Sequence, residues 1–492
     1  MTTEADRSRG EKRVDWRRLF FILLGVGLFT AIQFSPPWPD AIDPAGEHFA
    51  LSREGKGALA VFTLAGIWWV FEVVPIGITS LAIGILQAFF LIRPAKTAFN
   101  DFMDPSVMFI FASLVVGAVF TKTGLTRRLA FRMLMIVGER TSAILLGSFA
   151  VAAALTHFMA HTAVAATMYP LLLAINAFYG EEETPTRFGK GLFIGMAYAC
   201  GAGSIITLLG SARAAVAISF FKNMAGREIS FFELSWYLFP IGWLMIFLVW
   251  GLIMVLLRPE KKTIPGLRER ARELNARLGP ITRAEILAAV IVLGMILVMA
   301  LRSLVPALEG VDKTAVILIT TVLFFLLGIL GIDDLEDIPW NIILLFGGAM
   351  SMGLCLFETN AARWLAVNWL TMFKEAHWLV FVLGIGFFVM VMTNFIMNVA
   401  AIAISLPVAL VMAPYLGVSP EVILFTSLVT AGMPFMLLIG AAPNAIAYNS
   451  RQFTSGEFFK LGIPASLILM LVVGAAALLI WPLLGLPVVA GD

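Results

Sequence analysis

Long apolar segments, recurring with little between them, constrain this chain more than any other feature. The first occupies 19–35 and the last 461–486. Several between them are too short to cross a bilayer and fall in pairs, which suits re-entrant hairpins better than full spans. Hydrophobic residues make up 60% of the chain and charged residues 13%, against about 25% charge in an ordinary soluble domain. A soluble enzyme, a nucleic-acid binder and a disordered chain are all excluded on that ground. The sequence predicts an all-α polytopic membrane protein, with room for roughly ten to twelve spans. Cys200 and Cys355 both lie in apolar stretches, so neither a disulfide framework nor a thiolate metal site is suggested.

Charge is confined to a few places. Arg7, Arg9, Lys12, Arg13, Arg17 and Arg18 precede the first apolar run, which lacks a small-residue cleavage site and reads as a retained span. The basic flank places residues 1–18 in the cytoplasm, with the chain multi-pass in the plasma (inner) membrane. One hydrophilic stretch, 258–283, carries eight Lys/Arg against three Glu and reads as a cytoplasmic connector with an amphipathic surface helix. It separates a first membrane half, 19–257, from a second, 284–492.

The halves resemble each other. Residues 156–170 read THFMAHTAVAATMYP and 393–407 read TNFIMNVAAIAISLP. At one constant offset Thr156 matches Thr393, Phe158 matches Phe395 and Pro170 matches Pro407, while His157/Asn394 and His161/Asn398 are polar in both. LLGSARAAVA (208–217) pairs with LIGAAPNAIA (438–447), and NDFMDPSVMFIF (100–111) with DLEDIPWNIILLF (334–346). Three matches in one order make an internal duplication. Duplicated halves around a connector are the layout of secondary transporters with inverted repeats, in which broken helices meet near the midplane.

Polar side chains at that depth are functional by default. The first island holds Thr156, His157, His161 and Thr162, and the second holds Thr393, Asn394 and Asn398. Gly201, Gly203 and Gly210, then Gly432, Pro434, Gly440 and Pro443, supply the helix breaks. Arg213, inside SARAAVAISF, cannot lose its charge and needs water, an acid or an anion; a fixed charge beside an anion site is the reading adopted. Asp333–Asp337 matches a D-D-x-x-D pattern that can chelate Mg²⁺-diphosphate in membrane prenyltransferases. That lone match, in a turn between spans, is the whole basis for an enzymatic alternative. No phosphate loop, His/Cys metal spacing or nucleophile–base set accompanies it.

The segments WWVFEVVPIGITS (68–80), IPWNIILLFGG (338–348) and GAAPNAIA (440–447) resemble the divalent-anion/sodium symporters, the carriers of dicarboxylates, citrate and sulfate. The likeness runs from about residue 57 to 486. It implies a homodimer working as an elevator in the lipid bilayer, with a small anionic substrate held between two Ser-Asn-Thr tips. Each tip, with a glycine-containing turn, would hold one sodium ion. By position the tips here are Ala160-His161-Thr162 and Met397-Asn398-Val399. The turns are Gly210-Ser211-Ala212-Arg213-Ala214 and Gly440-Ala441-Ala442-Pro443-Asn444. The resemblance then implies substrate contacts at His161, Thr162, Arg213, Asn398 and Asn444. A sodium ion would sit at Thr393, Asn398, Gly440 and Ala441, and a degenerate first site at Thr156 and Gly210. Arg213 stands near that first site, where two unit charges about 5 Å apart would repel by roughly 3 kcal/mol. The sequence therefore predicts anion transport coupled to one sodium ion, with an exchanger or proton-coupled carrier as the alternative.

Overall fold

The computed structural model describes residues 15–42, 48–180, 184–302, 305, 308, 310–373 and 377–489. Arg7, Arg9, Lys12 and Arg13 lie outside them. Helices dominate; the strands are two residues each, Ala41–Ile42 paired antiparallel with His48–Phe49. Among the described residues nine helices are long and apolar enough to cross a membrane, and four apolar helices are shorter. The chain is an all-α multi-spanning membrane protein.

The two halves have a similar helix order. Helix Pro105–Thr123 in the first half and Trp340–Glu358 in the second have the same length, 19 residues. Next come two helix pairs folded back at a sharp tip: Thr141–Leu155 with His161–Tyr179, and Trp378–Phe395 with Asn398–Tyr415. A broken helix follows each. The first is interrupted between Arg187–Gly203 and Ala212–Ala225, the second between Pro420–Ala431 and the short Ala442–Tyr448.

The breaks follow from the residues there. Ala160 and Met397, with ψ of 136° and 144°, turn the chain before the second helix of each pair, and neither side chain caps that helix. Some other helix starts are closed off: Ser230 and Glu233 form a reciprocal capping box, as do Thr454 and Glu457. The tip helices therefore begin without a side-chain cap and with a partial positive charge.

The connector holds the surface helix Leu267–Arg277, of which Leu267 and Ala271 are buried, packed against helix Leu125–Val137. Buried Arg128 fastens the connector's far end. It donates to Glu285 at 2.8 and 3.1 Å, to Gly279 O at 2.9 Å and to Pro280 O at 3.3 Å. At the near end Glu260 accepts from the N–H groups of Arg187 and Phe188 and from the Tyr179 hydroxyl.

Candidate functional site

Both tips and both turns converge on one cavity of about 780 Å³. His161, Thr162, Asn398, Gly440 and Ala441 line it, and Ser211 joins them. Its outer wall is built by the matched helices Pro105–Thr123, through Ser113 and Thr121, and Trp340–Glu358, through Ile342 and Phe346. At the rim stand Glu72, Lys122, Arg127, Asp334 and Asp337, with Lys122 paired to Asp334 at 2.6 Å. Asp334 also accepts from Gly331 N. The acidic run is thus the N-terminal turn of a five-residue helix, Ile332–Glu336, at the cavity mouth.

Each tip meets its own turn through the turn's glycine carbonyl. In the first half His161 N and Nδ1 lie 3.2 and 3.4 Å from Gly210 O. In the second the partner is the Asn398 side chain. Thr393 has a single hydroxyl hydrogen, and Ala431 O accepts it at 3.0 Å. The Asn398 amide therefore turns its nitrogen to Thr393 Oγ1 at 3.1 Å and to Gly440 O at 2.8 Å, leaving its oxygen to accept from Arg213 Nη1 at 3.3 Å. Thr156 packs behind the first tip, fully buried, its hydroxyl donating to Ala153 O at 2.6 Å. A Cβ on Gly210 would stand 2.4 Å from Thr156 O, so only glycine lets this turn approach.

Arg213 is 1% exposed and does not line the cavity, contrary to its expected place among the substrate contacts. Ser211 stands in front of it and accepts from Nη1 at 2.6 Å, while Ser204 accepts from Nη2 at 2.9 Å. Having taken that bond, Ser211 does not cap the helix it precedes. No carboxylate reaches Arg213 among the described residues. The inbound halves Arg187–Gly203 and Pro420–Ala431 bring their C-termini together here, with Gly201 close against Gly432 O, and a Cβ on Gly432 would lie 2.5 Å from Arg213 Nη2. Helix C-termini carry partial negative charge, and in broken-helix carriers such ends coordinate the coupling cation.

Asn444, expected as a substrate contact, is instead a brace. Its nitrogen donates to Pro434 O at 2.8 Å and Leu437 O at 3.1 Å inside the broken turn, and it does not reach the cavity. Asn394 clamps the same turn through Met436 N and Leu437 N. Ser204, Ser211 and Ser113 were not singled out from sequence. Hydroxyls next to the helix-breaking glycines were the available signal for the first two.

Uncapped helix starts around a cavity, buried cation-like charge behind it and two broken helices define a membrane carrier rather than an enzyme. The chain belongs to the family described as the sodium:sulfate symporter transmembrane region, matched over residues 29–487. It is 26% identical over 461 residues to the sodium-dependent dicarboxylate transporter SdcS of Staphylococcus saprophyticus, spanning 89% of this chain and 88% of that one. It is 23% identical to an uncharacterized transporter of Haemophilus influenzae, spanning 94% and 95%. Among solved structures the fold is similar to the Neisseria gonorrhoeae antimetabolite efflux pump MtrF, with a TM-score of 0.61 at 14% identity over 97% and 96% of the two chains. It is also similar to the Alcanivorax borkumensis YdaH transporter, with a TM-score of 0.56 at 15% identity over 96% and 98%.

Proposed function

We infer that this transporter binds a small anion in the cavity between the tips and exchanges it for another anion, with Arg213 as a permanently attached coupling charge. The Arg213–Asn398 bond carries this reading: the guanidinium occupies the junction of helix C-termini and engages the amide oxygen that a sodium ion would need. The Thr162 N–H in the uncapped first turn, the Thr162 hydroxyl and the Ser211 hydroxyl border the space an anion would fill, while the His161 N–H is held by Gly210 O. An anion there offsets Arg213, and an empty site leaves the charge uncompensated in a low-dielectric interior, which opposes return of the unloaded carrier. That asymmetry is the physical basis of obligatory exchange.

Orientation follows the same residues. Arg127 lines the cavity, and its neighbour Arg128 bonds the connector. Arg18, at the start of the first span, donates to Val73 O beside the rim residue Glu72. The mouth, the connector and the N-terminal end thus share one side. The basic connector assigns that side to the cytoplasm, so the cavity opens inward, with the N-terminus cytoplasmic. Elevator movement of inverted repeats within a homodimer is the form the resemblance implies.

Sodium symport through Thr393, Asn398, Gly440 and Ala441 is the second reading. The convergence of these groups and the sodium dependence of the staphylococcal dicarboxylate transporters to which this chain is similar favour it. A thermal-shift screen of the purified chain against succinate, citrate, sulfate and butanesulfonate, in sodium and in potassium, separates the two. Exchange predicts stabilisation by an anion in either salt. Stabilisation in sodium alone supports symport, and none by any anion overturns both.

A further inference from the structure

The cavity is chemically lopsided, and this bears on what it carries. Unengaged donors cluster at the first tip. The Thr162 hydroxyl has no partner among the described residues, and Ser211, which accepts from Arg213, keeps its own hydrogen for a ligand. Helix His161–Tyr179 adds the later N–H groups of its uncapped first turn, since the His161 N–H and Nδ1 are held by Gly210 O. The second tip is different. Asn398 has its nitrogen on Gly440 O and Thr393 and its oxygen on Arg213, so neither amide hydrogen is left for an anion. Around it the wall is Met397, Val399, Leu438 and Ile439, continued by Ile342 and Phe346. This end offers a ligand only the backbone N–H groups at the start of its helix, inside a rim of apolar side chains. A second anionic group placed there would exchange its hydration for aliphatic surface. At its outer rim the cavity meets the acids Glu72, Asp334 and Asp337 and the bases Lys122, paired with Asp334, and Arg127.

We propose that the substrate is an amphipathic anion with one charged head and one apolar end: a carboxylate or sulfonate seated at His161, Thr162 and Ser211, with its hydrocarbon part against Met397, Val399 and the Leu438–Ile439 segment. The volume of about 780 Å³ falls in the range that holds drug-sized ligands and leaves room for such a tail. The proposal rests on the anion-transport reading above and specifies its substrate class.

Competition binding to the full chain in nanodiscs tests it, with the series from ethanesulfonate to hexanesulfonate set against 1,4-butanedisulfonate, succinate and sulfate. Affinity is expected to rise with chain length by about fourfold per buried methylene, with hexanesulfonate tighter than every doubly charged probe. The double variant Met397→Ser, Val399→Thr is expected to flatten that rise and to improve 1,4-butanedisulfonate relative to hexanesulfonate. Tighter binding of succinate, sulfate or the disulfonate to the unaltered chain, or affinity independent of chain length, overturns the amphipathic substrate while leaving anion transport standing. Binding of no probe of either kind overturns the transport reading instead. A double variant that keeps the unaltered slope shows that the tail does not rest on the second tip and overturns the placement.

Discussion

Arg213 of the first broken helix donates to the side-chain oxygen of Asn398 at the second tip, Nη1 to Oδ1, at 3.3 Å. One cation thereby joins elements from both halves, together with Ser204 and Ser211. Two consequences follow from its chemistry. The charge is permanent, and its position behind Ser211 lets it act on a bound anion through one intervening hydroxyl.

Replacing Arg213 separates charge from geometry. Arg213→Lys keeps a positive charge but not the planar fork that serves Ser204, Ser211 and Asn398 together. Anion affinity, read by isothermal titration, should fall by about tenfold, as expected from loss of one hydrogen bond to a charged group. Arg213→Ala should weaken it further in potassium and recover part of the loss in sodium, because the vacated helix C-termini become a cation site. Equal weakening in both salts would show that no such site is uncovered.

His161 links binding to pH. With Nδ1 donating to Gly210 O, the neutral ring presents Nε2 as an acceptor, which repels an anion. A proton on Nε2 converts it to a donor, so anion binding takes up a proton and affinity should rise as pH falls from 8 to 5. His161→Asn presents an amide without titration, and its slope should be flat. An unchanged slope in the variant would assign the pH dependence elsewhere.

The connector anchor makes a stability prediction. Arg128 and Glu285 are 5% and 3% exposed and pair at 2.8 Å. Arg128→Met leaves the Glu285 carboxylate buried without its cation, costing about 3–5 kcal/mol. Replacing both, as Arg128→Met with Glu285→Leu, should recover most of the loss in thermal unfolding. If the double variant unfolds as early as the single one, the connector carbonyls, rather than the ion pair, dominate.

On the face away from the connector, Glu228 gathers Lys313 at 2.8 Å and Lys222 at 3.0 Å. Burial pushes its carboxyl up, but Lys313 and then Lys222 outweigh this and hold it down at about 2. A depressed carboxyl stabilises the folded chain above its unfolded pKa of about 4.3, and that contribution fades as pH drops toward 2. The melting temperature should therefore fall over this window more steeply than in Glu228→Gln. Parallel curves would show that the cluster adds nothing to folding.

Much of this architecture is legible in the residues. The matched islands at Thr156–Pro170 and Thr393–Pro407 locate both tips, and His161 and Asn398 are indeed the first residues of their helices. Local pattern suffices there, because a tip is set by where apolar runs break. Side-chain direction is not local. Whether Arg213 faces the cavity or turns behind Ser211 depends on two helix ends distant in sequence, and Asn444 braces Pro434 O because the broken turn folds back over it. The same applies to Arg93, which reaches Asp101 at 2.7 Å and Glu358 at 2.8 Å. Those two partners sit on two separate segments, and nothing in their spacing announces the contact.

Counterflow in proteoliposomes tests the central claim most directly. The purified chain is reconstituted into vesicles either empty or loaded with the unlabelled form of whichever anion of succinate, sulfate and butanesulfonate stabilises it most. Uptake of the radiolabelled form is then followed under an inward sodium gradient and under an inward potassium gradient. Exchange with Arg213 as the attached charge predicts rapid uptake only into loaded vesicles, at the same rate in both salts. Accumulation in empty vesicles driven by the sodium gradient alone would contradict it.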